Sequence, residues 1–591
     1  MASLWLLILG LPVVVALMLS ADEPTRRLAR VLAPWVAWPA VVLSLAWPTD
    51  LFARADWWLL GGAFGLDGVG RLFALLVSTL WLIAGFYASA YMRDNPKHDV
   101  FWMWFLLAMT GNLGLVVSFD VASFYLFFTL MTFAAFGLVA LQGDSPSLFA
   151  GKVYIAMSVA GEAVLLVGLL RLAATLPDLS MEGMAEHVLV QPGATLTMVL
   201  LLVGFGVKAG LFTLHMWLPL AHPAAPTPAS AVLSGAMIKA GVLGWLRFFP
   251  GGVEPMVAFG AVMVGFGLAG AIVGVLFGLV QRDPKSNLAY SSVSQVGFMT
   301  VGVGLGLMEP TLWPTAVVVV ALYAMHHGLA KAALFLAVGV AMHGGRGGWR
   351  TVGLYAGVVV AALSLAGMPL SSGYLAKMWL KDLGGDLPHA WLGWVELLLP
   401  IAAVGTTLLM GRLFWLLRRE HRNEEHDYKQ GLWGPWLVLL ALVVGMTWVT
   451  PTVLRLEPTG VAARPEFAWD AMWAAFWPVG LGLLLLMAMV WRGVTIAWWM
   501  RVPPGDALVI VRWGIDLMRR PWEGVVIPAS TRLSESAFAM RNYLLLKVSK
   551  TMAVGEIVLV RWGAGGIMFI LLILVLALAV VMGRGVGSGG L

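Results

Sequence analysis

The 591-residue chain contains no cysteine, and only 12% of its residues are charged, against roughly 25% in ordinary soluble domains. The first absence removes disulfides, cysteine-ligated iron–sulfur clusters and thiolate zinc sites. No cofactor and no metal are therefore expected in this chain, and any redox chemistry must sit on partners. The second absence removes a soluble domain as the main architecture, because a composition that is 60% hydrophobic belongs in lipid. The charge that exists is unevenly placed. From Arg492 onward there are 11 Lys or Arg against 5 Asp or Glu, which accounts for the whole net charge of +6. A basic tail beside a membrane lies on anionic lipid headgroups or on a partner subunit rather than on nucleic acid.

What is present is a succession of apolar runs, such as 4–18, 196–207 and 567–582. A spanning helix needs about 20 mostly apolar residues. The first run lacks the basic start and small-residue cleavage site of a signal peptide, is followed by Asp22 and Glu23, and reads as the first span. Windows of spanning length bounded by charges, Pro or Gly give about 16 spans. They fall near 2–20, 28–47, 67–91, 99–117, 121–142, 148–172, 194–220, 225–249, 255–280, 287–307, 312–343, 352–381, 390–417, 432–451, 471–499 and 561–582. The expected fold class is an all-α polytopic membrane protein.

Basic residues are retained in cytoplasmic loops. Odd-numbered loops carry Arg26, Arg27 and Arg30, then Arg93 and Lys97, Arg282 and Lys285, Arg346 and Arg350, and Arg418, Arg419 and Arg422. Even-numbered loops carry Asp50, Asp56, Asp178, Glu182, Glu186, Glu254, Glu309, Asp382 and Asp386, with Arg54 as the exception. This predicts a multi-pass protein of a bacterial or archaeal inner (cytoplasmic) membrane with its N-terminus outside. Residues 506–560 are too polar to cross and are expected to lie along the cytoplasmic side. Within them Leu533, Ala537, Met540, Leu544 and Val548 recur at helical spacing as the apolar face of an amphipathic helix.

A charge at mid-bilayer costs at least about 2.5–3.5 kcal/mol, so it demands a counter-ion, water or burial among helices. Lys208 lies 11 residues before Pro219 and Lys239 lies 11 residues after Pro228. At about 1.5 Å per residue both sit roughly 16 Å below the same loop, near the midplane of a core about 30 Å thick. Two amines at one depth repel when both are charged, which suits a lysine that gains and loses a proton. His327 and Lys331, four residues apart, share one face of the eleventh span and could pass a proton between them; His326 faces another way and reads as structural. The seventh span runs into Pro219, Pro223, Pro226 and Pro228 around His215 and His222, and the twelfth contains Gly367, Pro369 and Gly373 before Lys377. Both should be interrupted, and broken helices line cavities in transporters. Glu162 falls at midplane depth in the sixth span, where an isolated carboxylate is rarely idle.

The stretch from Lys208 through His215, Pro219 and His222 to Lys239, including His-Pro-Ala-Ala-Pro-Thr-Pro-Ala-Ser-Ala-Val-Leu-Ser-Gly-Ala-Met-Ile-Lys, resembles the antiporter-like subunits of respiratory complex I. That superfamily includes Mrp cation/proton antiporter subunits and the large membrane subunits of formate hydrogenlyase and hydrogenase-4 complexes, and this form is most similar to the hydrogenase-4 branch. Asp283-Pro-Lys-Ser-Asn-Leu-Ala-Tyr-Ser-Ser, His327-Gly-Leu-Ala-Lys331 and Leu365-Ala-Gly-Met-Pro-Leu-Ser-Ser-Gly-Tyr-Leu-Ala-Lys377 extend the resemblance, in order, from about Asp67 to Arg418.

The resemblance implies two inverted five-helix repeats, with broken helices 7 and 12 as counterparts and a lateral helix before the last span. The chain then divides into N-terminal helices (1–98), a first repeat (99–250), a second repeat (251–418), two further helices (419–505), the lateral segment (506–560) and an anchor (561–591). It also implies proton carriage by Lys208, Lys239, His327, Lys331 and Lys377 along a hydrated axis. The chain departs from the family where a glutamate normally pairs with the helix-7 lysine: Thr129 stands there, and Glu162 is the nearest replacement.

The expected function is a proton-translocating subunit, without a redox site of its own, of a complex I-like or group 4 hydrogenase-like assembly. Its partners would be other membrane and peripheral subunits, lipid, and protons or sodium ions, with no nucleic acid. The alternatives are an Mrp-type antiporter subunit, an inorganic-carbon uptake subunit and a non-conducting structural subunit.

Overall fold

The computed structural model describes residues 2–48, 52–59, 61–174, 176, 180–181, 183–385, 392–422, 427–456, 468–493, 502–503 and 505. All fall in one compact unit, Met1–Asp506. The expected lateral segment 506–560 and the last span 561–582 lie outside the described residues, as do Asp50, Asp178, Glu182 and Asp386.

The chain is an all-α, multi-pass membrane protein. Its helices run α1 (Ala2–Met18), α2 (Glu23–Leu32), α3 (Trp38–Ala46), α4 (Gly68–Tyr91), α5 (His98–Val117), α6 (Val121–Val139), α7 (Ser145–Ala173), α8 (Met184–Val190), α9 (Ala194–Ala209) and α10 (Leu218–Ala224). They continue as α11 (Thr227–Val232), α12 (Lys239–Phe248), α13 (Val257–Leu279), α14 (Pro284–Met308), α15 (Trp313–His343), α16 (Gly348–Ala366), α17 (Ser372–Asp382), α18 (Leu392–His421), α19 (Trp433–Leu456) and α20 (Trp469–Trp491). A short antiparallel pair, β1 (Ala53–Ala55) and β2 (Gly62–Phe64), precedes α4.

Among the described residues, twelve helical stretches are long and apolar enough to cross a membrane, and three apolar helices are shorter. They occupy the windows read from the sequence. The second window holds two helices, α2 and α3, joined by a 3-10 turn at Ala33–Trp35. The windows 194–220 and 352–381 each hold two helices, α9 with α10 and α16 with α17.

Helix starts are fixed locally. Asp67, Asp120, Asp144 and Asp283 each accept the backbone N–H three residues on, at 2.6, 2.7, 2.9 and 2.6 Å, and so cap α4, α6, α7 and α14. The tightest packing, between α13 and α14, follows from glycines repeating every seven residues. A Cβ on Gly267 would stand 2.6 Å from the Gly297 carbonyl, and one on Gly260 would stand 2.5 Å from that of Gly304. Where lipid supplies no hydrophobic drive between helices, such close backbone approach supplies the attraction. This seam sets α14 at the centre: every residue of its spanning window is buried, as is nearly all of α15.

Loops sort into two ends. Arg30 pairs with Asp99 at 2.6 Å, and Lys97 donates to the Leu141 carbonyl at 2.8 Å. Arg346 donates to the His421 carbonyl at 2.7 Å, and Arg419 to that of Arg282 at 3.2 Å. All of these bonds join odd-numbered loops. At the other end Arg247 donates to the Leu115, Val116 and Ser118 carbonyls at 2.7–3.2 Å and lies 3.6 Å from Asp67. The first end holds most of the described arginines and is called the basic end below.

Candidate functional site

Two helix breaks organise the interior, and they share one backbone design. At the end of α9, Gly210 takes a left-handed conformation (φ +75°) and Leu211 N–H bonds back to the Gly206 carbonyl at 2.9 Å. At the end of α16, Gly367 does the same (φ +94°), with Met368 N–H on the Leu363 carbonyl at 3.0 Å. Both are Schellman closures, which stop a helix while giving partners to carbonyls that would otherwise be orphaned. Three residues beyond each glycine stands a non-glycine residue with positive φ, Thr213 (75°) and Leu370 (65°). Such strain marks places where surrounding structure dictates the backbone.

The break in the seventh window therefore comes at Gly210, upstream of its prolines. Pro219 lies in the first turn of α10, where its missing N–H costs nothing, and its carbonyl accepts from Ser286 Oγ at 3.4 Å. His215 is buried in the linking turn, with its ring 6.0 Å from those of Phe212 and Tyr290. His222 is fully buried in α10 and stacks on Phe335 at 4.6 Å. In the second break, Pro369 precedes α17. Gly373 is packed so closely that a Cβ there would meet the Ser364 carbonyl at 1.8 Å.

Lys208, Lys239 and Lys331 are at most 3% exposed. Lys208 Nζ donates to Thr132 Oγ1 on α6 and, at 3.2 Å, to Tyr154 OH on α7. Lys239 turns the other way. The chain between α11 and α12 makes a π turn over Leu233–Met237, in which Ile238 N–H bonds to the Leu233 carbonyl. That frees the Ser234 carbonyl, which accepts from Lys239 Nζ at 2.5 Å, while Ser234 Oγ meets Ser292 Oγ at 2.8 Å. The two backbones are at one depth, since Gly241 packs on Phe205 and Ala209, but the amines diverge.

Lys331 Nζ donates to the Leu288 carbonyl and to Ser291 Oγ at 3.1 Å, next along α14 to the serine that Ser234 meets. His327 is fully buried, and Lys239, Lys331 and His326 act on it electrostatically. Lys377 Nζ donates to the Ala366 carbonyl, the free end of α16, at 2.8 Å and sits over the Phe298 ring.

Glu162 is buried and lines a cleft together with Lys208, Phe128, Ser158, Gly204 and Val207. Thr129 and Thr132 flank its carboxylate. Oε1 of Glu162 and Oγ1 of Thr129 make no hydrogen bond among the described residues. The structure thus places Glu162 beside Lys208, with Thr132 rather than Thr129 on the amine.

Two residues have contacts that the sequence did not show. His326, which reads there as structural, meets the second break through Nδ1 and Ser372 Oγ at 2.8 Å. Lys285 reads as a loop charge; it is in the first turn of α14, 8% exposed, with Nζ on the Ala225 carbonyl at 2.7 Å. Its signal was present: Asp283 as a cap and Pro284 as a first helical residue place Lys285 inside the helix.

Chemically, the described interior holds five lysines and several histidines, with Glu162 as the carboxylate beside Lys208. Unpaired charge in low dielectric costs several kcal/mol per ion. Protons added to such a cluster are therefore held in competition, and occupancy of one amine disfavours occupancy of the next.

Residues 118–383 match the family described as NADH:quinone oxidoreductase/Mrp antiporter, transmembrane. A protein of Staphylococcus haemolyticus (strain JCSC1435) named antiporter subunit mnhA2 is 30% identical over 424 residues, 65% of this chain and 52% of that protein. Hydrogenase-4 component B of Escherichia coli (strain K12) is 25% identical over 470 residues, 72% of this chain and 69% of that protein. The chain spans about half the length of the mnhA2 relatives it matches. A chain in the structure of the Mrp complex from Dietzia sp. DQ12-45-1b superimposes with a TM-score of 0.69 at 22% identity, over 94% of this chain and 63% of that one. A chain of the membrane-bound sulfane sulfur reductase, an archaeal respiratory membrane complex, does so with a TM-score of 0.63 at 20% identity, over 82% and 99%. At those identities the likeness is one of fold.

Proposed function

We propose, because residues 118–383 match the NADH:quinone oxidoreductase/Mrp antiporter membrane family, that this chain is a proton-translocating, antiporter-like subunit of a respiratory membrane complex, of complex I-like or group 4 hydrogenase-like type. The observation that carries the reading is the set of buried and half-buried lysines at the two helix breaks and the central helices, each amine held by hydroxyls or backbone carbonyls. Protons step among Lys208, Lys239, His327, Lys331 and Lys377. Glu162 supplies to Lys208 the negative charge that Thr129 cannot. His215, Pro219, His222, Gly367, Pro369 and Gly373 shape the cavities beside the breaks. The matching backbone of those breaks supports reading 99–250 and 251–418 as two repeats.

The chain resides in the inner membrane with its basic end in the cytoplasm and its N-terminus outside, on the retention of basic residues on that side. Other membrane and peripheral subunits, with lipid, complete the assembly and supply the driving chemistry.

The test is proton uptake by vesicles containing the purified native complex. Lys208→Ala and Lys377→Ala each abolish translocation and leave the complex assembled. Wild-type pumping by either variant removes that lysine from the path.

A second reading, exchange of sodium for protons by an Mrp-type assembly, is favoured by the 30% identity to the mnhA2 protein. Identifying the copurifying subunits separates the two. Nickel-hydrogenase or iron–sulfur partners select the first, and small antiporter subunits the second.

A further inference from the structure

Lys285 differs from Lys208, Lys239, Lys331 and Lys377 in standing next to exposed loop residues. It is the second residue of α14, beside the exposed Arg282 at the basic end, yet its side chain turns inward to the Ala225 carbonyl at 2.7 Å. Ala225 closes α10 three residues after His222 and so lies on the same face of that helix. Ser230 Oγ stands between them, 2.9 Å from the His222 carbonyl and 3.2 Å from that of Ala225. Ser286, next to Lys285, reaches the Pro219 carbonyl, fixing the first turn of α14 against α10.

His222 is fully buried, and neither ring nitrogen makes a hydrogen bond among the described residues. Buried polar groups without a partner are rare enough to require a reason. Three amines from three helices, those of Lys331, Lys285 and Lys239, act electrostatically on this ring. His222 and Lys331 also share one aromatic ring: the imidazole lies 4.6 Å and the amine 5.2 Å from the centre of Phe335.

We propose that Lys285 and His222 form the proton-uptake limb at the basic end of the bundle. Lys285 takes a proton from water at the surface and releases it to one ring nitrogen of His222. The opposite nitrogen gives up its proton, directly or through a water, to Lys331. After each transfer the imidazole is neutral with its proton on the nitrogen that faces Lys285; a flip of the ring restores the starting arrangement, and Lys285 is reloaded from water. This limb rests on the reading of the chain as a proton-translocating subunit.

A lysine that merely closes the end of α10 does a structural job that arginine does equally well, since both donate to a carbonyl. Arginine, however, does not release its proton in proteins. In vesicles holding the purified native complex, Lys285→Arg and Lys285→Met should both slow translocation by about a hundredfold, the low end of what a positioned proton-transfer group contributes. His222→Gln should slow it as much. Imidazole or methylamine added at the basic-end side should restore Lys285→Met, and the same addition at the other side should not. A wild-type rate in Lys285→Arg overturns the limb, and so does a Lys285→Met variant that neither compound restores from the basic-end side. Lys208→Ala and Lys377→Ala in the same vesicles keep the two failures apart. If they are inactive while Lys285→Arg pumps normally, the limb falls and the function stands; if they pump normally, the function falls first.

Discussion

The second helix break is both a stopping device and a cradle for Lys377, and replacing Gly367 by Ala separates the two roles. Gly367 has φ +94°, and a Cβ there would stand 2.9 Å from Lys377 Cδ, the stem of the amine that reaches the Ala366 carbonyl. Left-handed backbone costs an L-residue about 1–2 kcal/mol. Displacing the lysine forfeits a hydrogen bond from a charged group, worth about 1.5–3 kcal/mol. The expected loss is therefore about 2.5–5 kcal/mol. Gly210→Ala is the matched control. It bears the same backbone strain at φ +75°, but its new Cβ meets only the end of the flexible Leu218 side chain at 2.1 Å, and Lys208 points away to Thr132 and Tyr154. Its loss should stay near the backbone value of about 1–2 kcal/mol. Denaturation of the purified complex measures the stabilities, and proton uptake by vesicles measures the rates. Gly367→Ala should lose most of its translocation and Gly210→Ala should keep most. Equal stability losses together with normal transport in Gly367→Ala would refute the claim that this break positions the lysine.

Glu162→Gln should impair translocation, and adding Thr129→Glu to it should restore part of the rate, because Lys208 needs a nearby negative charge more than a particular helix; normal transport in Glu162→Gln ends that pairing. Single cysteines placed at Arg282, Arg419, Glu254 and Glu309, in a chain that has none of its own, should label from two sides, the arginine positions from the cytoplasm and the glutamate positions from outside. Labelling of Arg282 and Glu254 replacements from the same side would break the topology.

The spans were legible because lipid imposes a length and a composition on every crossing segment, and the midplane lysines because they violate that composition. The asymmetry of arginines was legible for the same reason, and the loop contacts sort by parity as that asymmetry requires. The positions of the breaks were not. Four prolines mark the seventh span, but a proline is harmless in a first turn, and the chain stops at Gly210, whose left-handed backbone is written in one residue type that also occurs in dozens of ordinary helical positions. Helical spacing separates His327, which shares a face with Lys331, from His326, but it does not show that His326 meets Ser372 of α17. Lys285 misled because a positive charge near a loop ordinarily seeks water, and here the carbonyl that ends α10 outbids it.

The π turn at Leu233–Met237 is, in counting terms, one residue more than an α-helix needs, and each residue advances a helix by about 100°. Removing one residue between Ser234 and Ile238 would make the bond from Ile238 N–H to the Leu233 carbonyl an ordinary α-helical one and bring Lys239 N–H onto the Ser234 carbonyl, so that the helix itself takes up the acceptor that now serves the Lys239 amine. It would also turn the whole of α12 by about a quarter of a circle, carrying Lys239 off Ser234 and Gly241 off the backbone of α9. A relative that lacks this extra residue thus has no equivalent of Lys239 at the same azimuth, even where a gapped alignment sets a lysine in the same column.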